Sequence, residues 1–241
     1  MRHAWIALLF TLSLHAQEQN KDDLKRLSGD AAQALRLTAK PGSFEFTGVL
    51  KTEVNPDEAD SEPTECKLSG AAGSPFHAAF KVKTDTSTHD VVFKNAKMVG
   101  RLTWKGHPLD LGKSPGEVLS LVNLERLAVY AEKATAAKAL ADAKLAGADC
   151  RVLELVLPKQ TMRSYSEDAE TAEEEEKSVD RLELKLHVRK SDGLVVKLEA
   201  TVHRAYEDED SKGRSAYAFT LKEFGAAKVT IPAGLEKLIE D

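Results

Sequence analysis

Several kinds of chemistry are missing from this sequence. It has no phosphate-binding glycine loop, no dinucleotide glycine motif, no Gly-x-Ser-x-Gly elbow and no His-Glu-x-x-His zinc helix. None of the enzyme classes built on those motifs is therefore indicated. Positive charge is not clustered and the formal net charge is -5, which makes nucleic acid and anionic membrane surfaces poor partners. The acidic runs "EDAETAEEEE" and "YEDED" lack the Asp-x-Asp-x-Asp-Gly spacing of a calcium loop, so they read as solvated loops. The histidines form no ligand pattern; His77, His89 and His107 fall in or beside loops, and His187 and His203 on a polar strand face. No metal, cofactor or catalytic residue is expected.

Long apolar runs are also absent, with one short exception at the start. "MRHAWIALLFTLSLHAQEQN" carries a basic Arg2, an apolar run from Ala4 to Leu14 and a small Ala16. The run is about half of the ~20 residues that a membrane span needs. This is the pattern of a secretory leader, read here as 1–17, with residues 18–241 as a single mature domain in the periplasm or outside the cell. No cysteine follows the run, so no lipid anchor is expected there, and no transmembrane segment is expected in the mature chain. Cysteine is scarce throughout: Cys66 and Cys150 are the only two. In an oxidising compartment such a pair suggests one disulfide, worth ~4 kcal/mol for so long a loop. Two separately buried thiols are the alternative.

What is present is alternation. In "RLELKLHVRKSDGLVVKLEATVHRA", Leu182, Leu184, Leu186 and Val188 alternate with Glu183, Lys185, His187 and Arg189, and after the turn Leu194, Val196, Leu198, Ala200 and Val202 alternate with Val195, Lys197, Glu199 and Thr201. Directly paired residues share a face. A two-residue turn at Asp192-Gly193 would mix apolar and charged partners. A three-residue loop, Ser191-Asp192-Gly193, pairs Leu182 with Val202, Leu184 with Ala200, Leu186 with Leu198 and Val188 with Val196. It also sets Lys185 opposite Glu199, and Gly193 takes the left-handed position.

Around this hairpin, a helical stripe of Leu24, Leu27, Ala31, Ala34 and Leu35 predicts a helix over 22–38, ended by Pro41-Gly42. Strands are predicted at "SFEFTGVL", 76–83, 88–94, 97–104, "CRVLELVLPK" and "AYAFTLKEFG", with a short final one at "KVTIPAG" before a terminal helical turn. Ser114, Pro115 and Glu117 open a second helical region with a capping-box pattern. Residues 131–146 fit helix or strand equally. Residues 53–65 and 164–180 read as acidic loops. This order predicts an α+β fold, an antiparallel sheet with helices on one face.

The apolar strand faces then allow two readings. Phe44, Phe46, Leu102, Trp104, Leu184, Leu186, Val196, Leu198, Tyr217 and Phe219 are ordinary core under helices, or they line an apolar cavity for a guest.

The leading helix into "GSFEFTG", then "AGADCRVLELVLPK", "LHVRKSDGLVVKLEA" and "AFTLKEFGAAKVTIP" resemble the periplasmic lipoprotein-carrier superfamily. That group includes the Lol-type carrier and the LppX-type lipoproteins. The resemblance implies a curved antiparallel sheet, an open half-barrel, with helices covering its concave face. It further implies a lipid or acylated molecule as ligand. The competing expectation is an envelope interaction or sensor protein with a filled core and a protein partner.

Overall fold

The computed structural model describes residues 4–54, 64–94, 97–102, 114–162, 178–205, 212–233 and 235, with the side chains of 4–20, 97–102, 114–115 and 162 left aside. Ten strands form one antiparallel sheet. They are β1 (Ser43–Val54), β2 (Thr64–Gly73), β3 (His77–Lys83), β4 (Thr88–Lys94), β5 (Lys97–Leu102), β6 (Ala136–Leu145), β7 (Ala148–Leu157), β8 (Val179–Arg189), β9 (Val195–Ala205) and β10 (Lys212–Lys222). Their order in the sheet is β5-β4-β3-β2-β1-β10-β9-β8-β7-β6. The first five meander outward to one edge, and the last five meander inward from the other. They join where β10 pairs with β1, with Phe46 opposite Leu221 and Leu50 opposite Tyr217. The sheet is curved and open, as the α+β reading anticipated.

Three helices lie on one face: α1 (Ala4–Ala39), α2 (Ser114–Val122) and α3 (Leu124–Ala131). In α1 the predicted stripe is buried from Leu27 onward, with Ala31 and Leu35 fully so, and Leu24 is half-buried. The helix stops before Pro41, and Gly42 follows at φ 88°. The second helical region is two helices rather than one. Asn123 breaks it by capping α3, its side chain accepting the Arg126 N–H at 3.2 Å. Residues 136–145 resolve the alanine-rich ambiguity as strand β6, an edge of the sheet that interrupts its own pairing with a bulge between Leu140 and Ala143.

β2 has no alternating signature, because "SGAAG" offers almost no side chains to alternate. Its neighbours supply the packing. Gly70 lies between Phe46 and Phe80 in register, and those two rings meet over it with centroids 6.0 Å apart. A Cβ on Gly70 would come within 2.3 Å of the Phe80 Cβ, so the glycine is what lets the strands carry both rings.

The hairpin follows the expected register over most of its length: Leu182, Leu184 and Leu186 pair with Val202, Ala200 and Leu198, and Lys185 with Glu199. The turn end differs. The Arg189 N–H bonds to the Leu194 carbonyl, so the loop is the four residues 190–193, and Gly193 adopts φ 76°. Val188 therefore pairs with Val195, not Val196, and a bulge restores the register beyond it. Val195 is fully buried, while Val196 turns to the opposite face and is half-buried. One extra loop residue exchanged the two valines.

Two further expectations are corrected. Residues 226–233 form no strand. They run along the outer face of β3 and β4, where Val229, Ile231 and Leu235 cover Ala79 and Val92. Cys66 and Cys150 are both free thiols. Four strands separate β2 from β7 in the sheet. Cys66 is opposite Leu50 and packs against the helix-covered core, whereas Cys150 alternates with the core residues Leu153, Leu155 and Leu157 and so faces the other way. The acidic runs at 163–177 and 206–211, residues 55–63 and the terminal helical turn lie outside the described residues.

Candidate functional site

The concave face begins with β1 and β10, the strands that join the two meanders. Alternation places Phe44, Phe46 and Leu50 of β1 and Tyr217, Phe219 and Leu221 of β10 on it. Gly48 sits opposite Phe219, and an added Cβ would meet that ring at 2.7 Å. The missing side chain is the space the ring occupies. The result is a row of aromatic rings across the sheet. Phe80 meets Phe46 at 6.0 Å, Phe46 meets Phe219 edge-on at 5.7 Å, and Phe219 stacks on Tyr217 at 6.0 Å. Leu184, Leu186 and Leu198 continue the same floor on β8 and β9. Seven of the ten candidate lining residues thus converge on one surface. Val196 does not, for the reason given above. Leu102 lies in β5 but its side chain is outside the described residues, as is Trp104.

The helices form the roof. Leu27 and Leu35 of α1, Leu119 and Leu121 of α2 and Leu127 of α3 press onto the floor. The fit is close. The pocket between Phe44, Ala72, Phe76, Val122 and Leu124 measures about 20 Å³, room for one water but far below the ~300 Å³ at which ligand pockets begin.

The roof is fastened in different ways. The Thr38 hydroxyl, fully buried in the last turn of α1, donates to the Ala34 carbonyl at 2.7 Å and accepts the Val195 N–H of β9 at 2.8 Å. Arg151 of β7 pairs with Asp30 of α1 at 2.7 Å. Arg36 pairs with Glu132 just past α3 at 2.8 Å.

Among the described residues, a buried polar cluster ties α2 to the sheet. Glu117, which the sequence suggests as the closing residue of a capping box, instead turns inward. One carboxylate oxygen accepts from Arg204 of β9 and the other from the Tyr217 hydroxyl of β10. Arg204 also donates to the Ser178 hydroxyl at 2.5 Å. Glu117 and Arg204 are each 6 % exposed and Tyr217 is 2 % exposed. Burial and the neighbouring Glu117 charge push the Tyr217 hydroxyl well above its ordinary value, so it remains a proton donor. Reading Tyr217 only as part of an apolar row misses this polar end. No local signal could have found the cluster, because Arg204 is 87 residues from Glu117 and Tyr217 is 100.

On the outer face the charges form ladders. Lys138 bonds Glu154 at 2.6 Å, and Glu199 takes Lys197 and His187 at 2.8 Å each. His187 is on the polar face as expected but is buried rather than solvated. Among the described residues no group of His, Cys, Asp and Glu could hold a metal ion, and no helix is long and apolar enough to cross a membrane.

These features define a class: an open antiparallel half-barrel whose apolar concave face is roofed by helices. The chain is similar in structure to LprF from Mycobacterium bovis, at 12% identity over 88% of this chain and 98% of that one, with a TM-score of 0.47. It is similar to the Mycobacterium tuberculosis lipoprotein LppX at 12% identity over 85% and 98%, with a TM-score of 0.49. A LolA superfamily protein from Nitrosomonas europaea is similar at 11% identity over 89% and 96%, with a TM-score of 0.33. No protein-family model and no curated protein matches the sequence.

Proposed function

We propose that the protein is an exported, non-enzymatic carrier, with 1–17 as its leader, that holds a lipid or acyl chain between the concave face and its helical roof. The observation that carries this reading is the unbroken apolar floor from Phe80 to Leu184, roofed by an α2 that a buried polar cluster ties to the sheet. In this structure the helices fill that space, so a guest enters by lifting α2. The energies allow it. Exposing Val118, Leu119, Leu121 and Val122, all buried, costs ~1.5–3 kcal/mol each, and burying a chain returns ~0.8 kcal/mol per methylene. A chain of roughly eight to fifteen methylenes matches the loss.

The filled interior also favours a second reading, an envelope protein that binds a protein partner through its surface. Native mass spectrometry separates the two. Protein purified from its own envelope without detergent is expected to retain an extractable lipid, or to take up added palmitate at one per chain. A clean mass with no uptake overturns the carrier reading in favour of a protein partner.

A further inference from the structure

We propose that Glu117 stands in for a ligand's head group, and that Arg204, Tyr217 and Ser178 form a receptor for the anionic head of an acyl-chain amphiphile. This inference rests on the carrier reading and adds the chemical class of its ligand.

The two donors to the carboxylate belong to the sheet side of the molecule, Arg204 on β9 and Tyr217 on β10, and the Ser178 hydroxyl, directly before β8, accepts from Arg204 and orients it. The carboxylate belongs to α2. Arg204 and Tyr217 address different oxygens of the same carboxylate, one as a charged donor and one as a neutral donor. Such an arrangement recognises a planar or tetrahedral oxyanion whatever molecule supplies it. A fatty-acid carboxylate and a phosphate monoester present the same acceptors.

Two observations argue against a purely structural clasp. A buried ion pair seldom stabilises a core more than apolar residues of similar size would, yet this one is set into a face built mainly of apolar and aromatic side chains, with buried Ser215 a polar neighbour of Tyr217. The cluster also lies at the end of the aromatic row. Tyr217 is the last ring, stacked on Phe219, and Phe46 and Phe80 continue away from it. A head bound at Arg204 and Tyr217 would lay its chain along that row. Lifting α2 withdraws the Glu117 carboxylate and uncovers the row in one movement. The internal carboxylate therefore competes with the ligand's own charge and keeps Arg204 paired until exchange.

The test compares palmitate with its uncharged monoglycerol ester, both below their aggregation concentrations, by titration calorimetry on the full mature chain. The wild type is expected to prefer palmitate. Glu117→Gln removes the competing charge and is expected to tighten palmitate by about tenfold, the value of one charge-assisted hydrogen bond, with the ester unchanged. Arg204→Met is expected to abolish the preference while the ester still binds. If Arg204→Met does not fold, the paired variant Glu117→Leu/Arg204→Met removes both charges of the pair and takes its place. Equal binding of palmitate and ester by the wild type and by Glu117→Gln overturns the head-group receptor and leaves the carrier reading standing. No uptake of either compound by any folded variant overturns both.

Discussion

Tyr217 shows how one side chain can belong to two systems. Its ring is the end of the aromatic floor and its hydroxyl is part of the buried polar cluster. Because burial raises its pKa above the ordinary value of 10.0, the folded protein holds this proton after the unfolded chain has begun to release it. The stability that this contributes is complete below pH ~10 and is lost as pH rises from there toward the folded-state value, by up to ~1.4 kcal/mol per pH unit. Urea unfolding across the alkaline range is expected to show a steep fall for the wild type and a shallower one for Tyr217→Phe. Parallel curves would mean that another group governs alkaline unfolding. At this scale the sequence told which face Tyr217 occupies, since alternation alone decides that. It could not tell what its hydroxyl meets.

Among the elements, the hairpin and α1 share the apolar core and one buried polar contact. The Val195 N–H is left without a ladder partner by the turn, and the Thr38 hydroxyl accepts it. Thr38→Val keeps the shape but strands a buried donor, at a cost of ~1–3 kcal/mol. The loss is expected as a lower urea midpoint, with faster hydrogen exchange at Val195. An unchanged midpoint would show that the Thr38 contact adds nothing to the apolar stripe and ion pairs that hold α1. Elements with strong periodicity are legible in the sequence: the α1 stripe, β8, β9 and β10 all stand where their patterns put them. β2 is not, because its strand character comes from the rings on either side of Gly70. The register near Val196 is not either, because an added loop residue and a compensating bulge leave the same composition behind.

At the scale of the whole molecule, two meanders starting from opposite edges close through β1 and β10, and this separates the cysteines onto different halves and different faces. Burial raises both thiols above their ordinary range, which slows their oxidation. Thiol titration of the unreduced protein in denaturant is expected to count two free groups per chain, with thermal unfolding indifferent to reductant. A count of zero, or a midpoint that drops on reduction, would contradict the separation. The same architecture assembles the candidate site, since floor, roof and polar cluster draw on residues from Leu27 to Leu221.

The sequence by itself determined the fold class, the face that each alternating strand buries and most of the floor residues. Those properties follow from local periodicity, which is written into the order of the residues. Only the tertiary structure decided that the two cysteines stay apart, that Val195 replaces Val196 on the inner face, and that Glu117 leaves its helix cap for Arg204 and Tyr217. Each of these depends on partners distant in sequence or on a single-residue shift in register. Neither leaves a trace in composition or spacing.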